Sequence, residues 1–231
     1  MAMGTSDVLA PGRFRLLLGA LCLFLVGTAA TTSLRRALLV EFVLLAVTVV
    51  VAVLELRSRG QRWLGTIVLA VLVICLALAD LTLPLRHVPL LAGTVVGIFA
   101  GLVVWLVYTA VMRPHRPVGD RIVGAICVYI LIGLAWAKLF ETLDGVAPGS
   151  FRFPADTAWT APGPLRYRYF SFVTLATLGY GDVTPVTALA GTLAALDAVS
   201  GQLYIAITVA RLVALSMGEH AGPGGGPKSG D

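Results

Sequence analysis

The sequence predicts an all-α polytopic membrane protein with six transmembrane helices and one short re-entrant helix. Three observations carry this. The 231 residues are 58% hydrophobic and only 13% charged, where a soluble domain carries roughly 25% charged residues. The apolar runs approach or exceed the roughly 20 residues that a bilayer-crossing helix needs. Between the last two long runs stands an apolar stretch of only about ten residues, too short to cross.

The spans follow in order. Leu16–Leu34 is the first charge-free run. Ala37–Leu54 is the second, interrupted by Glu41, and Trp63–Ala79 is the third. Val88–Met112 is the fourth. Ile122–Ala137 is the fifth and continues past Lys138 to about Leu143. Val183–Ala210 is the sixth, interrupted by Asp197. The polar, Pro/Gly-rich stretch Asp144–Leu165 and the short run Tyr169–Leu178 separate the last two spans. The residues before the first span read as well as the start of a signal peptide: Arg13 and Arg15, then LLLGALCLFLVG, then TAA. The charge-free run exceeds the roughly 15 residues of such a segment, so a retained span is expected.

Positive charge orients the spans. The loops ELRSRGQRW and MRPHRPVGDR, with Arg13 and Arg15, place basic residues on the side of the N-terminus, which makes both termini cytoplasmic. The net charge of +5 is therefore a topology signal, and no nucleic-acid partner is expected. Cys22, Cys75 and Cys127 all sit within apolar runs, which argues against disulfides or a zinc site. His87, His115 and His220 are scattered, and no Ser/His/Asp pattern stands out, so no enzyme and no cofactor is expected. The C-terminal EHAGPGGGPKSGD reads as a disordered tail. No soluble regulatory domain is expected within these residues.

The stretch TLATLGYGDVTP, residues 174–185, lies among these membrane segments. Non-helical backbone at membrane depth must be buried in protein or line a water-filled path. Glycine allows φ > 0 and so lets carbonyls point where a Cβ would forbid it. If Thr177, Leu178, Gly179 and Tyr180 alternate in conformation, their carbonyls form a ladder of hard, neutral oxygen ligands suited to a hard cation. Leu178 and Tyr180 would then point away from the ladder and pack it in place.

TLGYGD, preceded by a short apolar helix and followed by VTP, resembles the pore signature of tetrameric potassium channels, in which four TVGYG loops replace the hydration shell of K+. The resemblance covers roughly residues 121–217 as outer helix, re-entrant pore helix, selectivity-filter loop and inner helix. It differs at Leu178, where Val is usual. It implies K+ ligation by the carbonyls of Thr177, Leu178, Gly179 and Tyr180, with Gly181 closing the outer turn. Asp182 matches the acidic residue behind the filter. Many relatives pair it with a pore-helix tryptophan, and that position is Tyr169; Val173 stands where some bacterial relatives have glutamate. Glu141 resembles the glutamate that braces the pore loop, although an i,i+3 pair with Lys138 explains it equally well. Gly201 matches a gating hinge, with close helix packing as the alternative, and on its register Gln202, Ile205 and Val209 would line the cavity. A homotetramer in a lipid bilayer, in the bacterial inner membrane, follows, with K+ as permeant ion. The rival classes are a non-selective cation channel and a subunit of a potassium-uptake transporter.

Asp197 and Glu41 are carboxylates inside spans, and such residues are functional candidates by default. Asp197 could pair with Lys138 or a backbone amide, or titrate as an intramembrane sensor. Residues 16–112 resemble a voltage sensor, yet the fourth span has no Arg or Lys, so voltage gating is expected to be weak. The expected divisions are a cytoplasmic N-terminus (1–15), a four-helix membrane domain (16–112), the pore domain (121–217) and a cytoplasmic tail (218–231).

Overall fold

A computed structural model describes residues 13–29, 88–112, 117–154 and 163–220. The expected second and third spans, Glu41, most of the N-terminal segment and tail residues 221–231 lie outside the described residues. Those described form five helices and one two-stranded ladder: α1 (Arg13–Ala29), α2 (Val88–Val111), α3 (Val118–Val146), β1 (Phe151–Arg152), α4 (Gly163–Leu175), β2 (Thr184–Pro185) and α5 (Ala188–His220). By length and composition, α3 and α5 are able to cross a membrane.

α3 starts after Pro117 and carries Asp120 in its first turn, where a carboxylate meets the positive end of the helix dipole. It ends where Ala147 leaves helical geometry and donates its N–H to the Leu143 carbonyl at 2.8 Å. Pro148 and Gly149, the latter at φ +85°, turn the chain back. β1 then pairs antiparallel with β2, Phe151 opposite Pro185 and Arg152 opposite Thr184. The Val186 N–H donates to the Ser150 carbonyl at 2.8 Å and extends this tie. α5 opens on Thr187, whose hydroxyl accepts from the Ala190 N–H at 3.2 Å, an N-cap.

Two helix starts differ most from the charge-free runs. α4 begins at Gly163, well before Tyr169. The two arginines that ended the apolar run are accommodated within it: Arg168 lies 4.5 Å from the centroid of the Phe24 ring of α1, and Arg166 lies 5.3 Å from that of Phe153. α5 begins at Ala188, not Val183, because the intervening residues are taken up by β2 and the cap. α4 has thirteen residues, and at about 1.5 Å per residue it is much shorter than a roughly 30 Å hydrocarbon core.

α4 packs against both α3 and α5, and α1 and α2 pack against α3. One buried cluster joins α1, α2 and the first half of α3 through Phe14, Leu17, Leu21, Val107, Val111 and Cys127. A second lies behind the end of α4. Phe140, Phe151 and Phe170 there form a triangle of edge-to-face rings with centroids 5.1–5.4 Å apart. Such pairs contribute about 0.5–1.5 kcal/mol each beyond their buried area.

Candidate functional site

α4 terminates in a Schellman motif. The Leu178 N–H donates to the Val173 carbonyl at 2.9 Å and the Thr177 N–H to the Thr174 carbonyl at 2.9 Å, the six-to-one and five-to-two bonds of that motif. The residue at its left-handed position is Thr177, with φ +57°. Glycine is usual there, and a β-branched residue is an outlier. Gly179 at φ +55° and Gly181 at φ +79° follow, while Leu178 and Tyr180 keep negative φ. The sign of φ thus alternates over five residues. Residues 176–181 are exposed along the whole segment, with Leu178 58% and Tyr180 67% exposed.

Asp182 secures the end of the segment that leads to β2. Its Oδ2 accepts from the Tyr169 hydroxyl at 2.6 Å and its Oδ1 from the Val183 N–H at 2.9 Å. Tyr169 is therefore hydrogen-bonded to Asp182 across the end of α4. The Glu141 carboxylate pairs with Lys138 at 3.0 Å on its own helix, the i,i+3 pair that the spacing allows. One turn later, Asp144 makes the cross-links. Its Oδ1 accepts from the Ser150 N–H at 2.9 Å and its Oδ2 from the Tyr167 hydroxyl at 2.5 Å. Burial first, and then these carboxylate partners, push the phenols of Tyr167 and Tyr169 up, so both remain donors at neutral pH. Asp144 was not picked out from the sequence. Its signal was its position at the helix end, just before the turn residues GVAPGS.

Two glycines seat α4. A Cβ on Gly201 of α5 would overlap the Leu175 carbonyl oxygen and stand 2.9 Å from Leu175 Cδ1. A Cβ on Gly133 of α3 would stand 2.5 Å from the Phe172 ring. Close approach to α4 is thus a sufficient reason for glycine at 201, whatever bending it also permits. Ala190, Ala194, Asp197 and Gly201 form one buried stripe on α5. Gln202, Ile205 and Val209 are exposed, away from that stripe.

Asp197 is fully buried, and neither carboxylate oxygen has a hydrogen-bond partner among the described residues. It pairs neither with Lys138, which holds Glu141, nor with a backbone amide. The physical reason is its place on the stripe, turned toward α4, with the Ser171 hydroxyl beside it.

Residues 124–217 match the family model described as an ion channel. The match runs from α3 through α5 and spans less than half of the chain. It supports an ion channel family, which is not a family of enzymes, and together with the two long apolar helices it supports a membrane protein. No curated protein and no solved structure matches the chain.

Proposed function

We propose that the protein is a passive, potassium-selective channel in which four copies surround one axis with their 177–181 segments. The observation that carries this is the alternating sign of φ from Thr177 to Gly181, inside a segment matching an ion channel. Residues of alternating hand turn successive carbonyls to the same side, so each chain offers one ladder of oxygens. K+ is then held by the carbonyls of Thr177, Leu178, Gly179 and Tyr180, and Gly181 closes the outer turn. The exposure of this backbone in a single chain supports the assembly. Unpaired peptide groups do not persist at membrane depth unless protein or a water path covers them, and closed cyclic symmetry supplies both. Tyr169 and Asp182 hold the outer end, and Gln202, Ile205 and Val209 line the vestibule below. α4 aims its C-terminal dipole at that vestibule and favours a cation there. The spans sit in the cell membrane of a bacterium with both termini in the cytoplasm.

The test is flux into liposomes holding the purified full chain. K+ uptake driven by its gradient, with Na+ largely excluded, is expected. Equal passage of both ions would leave a non-selective cation channel, and no passive flux at all would remove the channel reading.

A further inference from the structure

Asp197 is the group that conduction leaves unexplained. It lies at the meeting of α3, α4 and α5, with no solvent exposure. The hydrogen-bond donors around it are committed elsewhere. The Ser171 hydroxyl, itself fully buried, donates to the Gly133 carbonyl at 2.8 Å. The Ser200 hydroxyl donates to the backbone carbonyl of Asp197 at 2.8 Å, and the Trp136 indole N–H donates to Ser200 at 3.0 Å.

Among the described residues of the three helices, no cation is paired with Asp197. On α3, Tyr129 lies within electrostatic reach of Asp197 but is a phenol; Lys138 is paired with Glu141; Arg121 stands at the start of the helix and Asp144 near its end. On α4, Arg168 lies over Phe24, Arg166 over Phe153, and Tyr167 and Tyr169 bond Asp144 and Asp182. On α5, Tyr204 donates to the Ala125 carbonyl and Arg211 to the Tyr108 hydroxyl.

An ionised carboxylate here would be a buried charge with neither cation nor donor among the described residues, the arrangement that proteins avoid. A neutral acid brings its own donor. A serine hydroxyl has one proton and two lone pairs, and the Ser171 proton is already given to Gly133. Ser171 Oγ is therefore free to accept. We propose that Asp197 is a neutral acid donating its proton to Ser171 Oγ, so that a chain from α5 through α4 to the Gly133 carbonyl of α3 locks α4 in place only while the acid is protonated. Release of that proton to solvent at alkaline pH breaks the chain and leaves a charge behind α4, about one turn from the Gly201 seat of Leu175. Asp197 is a positioning residue in this scheme and touches no ion.

The proposal has one arm that rests on the channel reading and one that does not. Difference infrared spectra of the full chain in liposomes, titrated with base, are expected to show a protonated-carboxyl C=O band at neutral pH that vanishes as pH rises. Ser171→Ala shifts this band and Asp197→Asn removes it. In the flux arm, K+ passage is full at low pH and falls at least about tenfold per pH unit beyond the titration. Asp197→Asn, whose amide also donates to Ser171, abolishes that fall. A wild-type protein without the band at neutral pH, a band that survives Asp197→Asn, or an asparagine variant with the wild-type alkaline loss each overturns the proposal. If no K+ passes at any pH, the channel reading fails and the band alone decides Asp197. If the asparagine variant does not fold, the wild-type titration and the Ser171→Ala shift decide it.

Discussion

Thr177 occupies a conformation in which a β-branched residue is strained by about 1–3 kcal/mol. Such strain persists only where the surroundings impose it, and here a Schellman motif on one side and two glycines on the other do so. The glycines were legible in the sequence because φ > 0 is what glycine is for. The left-handed Thr177 followed only from the alternation they imply. Asp144 was not legible. Glu141 and Asp144 lie three apart at one helix end, and spacing alone does not say which carboxylate reaches the next element and which folds back on Lys138. Asp182 is the residue-scale test. Its bond to the Tyr169 hydroxyl, at 2.6 Å, is charge-assisted, and such bonds contribute about 1.5–3 kcal/mol. Tyr169→Phe keeps the ring and removes the bond. Ion current through the variant is expected to decay faster during sustained opening. Asp182→Asn combined with it is expected to show non-additive loss, with a coupling of about 0.5–3 kcal/mol in a double-mutant cycle. Strictly additive effects would separate the two side chains.

At the scale of elements, α4 depends on what grips it: the aromatic triangle at its outer side, the β1–β2 ladder that ties its exit to the end of α3, and the glycine seats on α3 and α5. The existence of a short helix between two long ones was readable from length alone. Its start was not, because a charge-free run stops at an arginine, whereas a helix continues wherever the guanidinium finds a ring. The start of α5 was misplaced for the opposite reason. Val183–Thr187 is apolar enough for a span, but it is spent on the ladder and the cap. The seats separate two meanings of Gly201. Alanine there gains about 1 kcal/mol of helix propensity, so a residue needed only for bending would leave a stable protein with altered gating. The structure instead sets a Cβ against the carbonyl oxygen of Leu175, which is backbone and has little freedom to move. Gly201→Ala is expected to lower the thermal midpoint of the purified protein by several degrees. Gly133→Ala is expected to cost less, because the Phe172 ring it meets is a side chain able to rotate. A Gly201→Ala protein as stable as wild type would remove the seat.

For the whole molecule, α1 and α2 are fixed to the α3 of their own chain. Gly124 makes room for both, since a Cβ there would overlap Val111 Cγ2 of α2 and stand 3.2 Å from Phe14 of α1. α2 also reaches α5 directly, where Arg211 donates to the Tyr108 hydroxyl at 2.9 Å and the rings of Tyr108 and Tyr204 meet edge-on. A helix so joined to α5 would pass force to it if it moved, and the question is what could move it. Voltage acts on charge, at about 2.3 kcal/mol per elementary charge per 100 mV. The sequence of α2, VPLLAGTVVGIFAGLVVWLVYTAV, has no Lys, Arg, Asp or Glu, so the field has nothing to pull on within it. Arg113 follows it in the sequence and lies outside the described residues. The conductance–voltage relation is therefore expected to be shallow, with an effective gating charge of about one or less per chain. That charge is read from the limiting slope of macroscopic current in planar bilayers. A steep relation carrying several charges per chain would require charged residues elsewhere to cross the field, and α2 would lose the passive, anchoring role that its composition gives it.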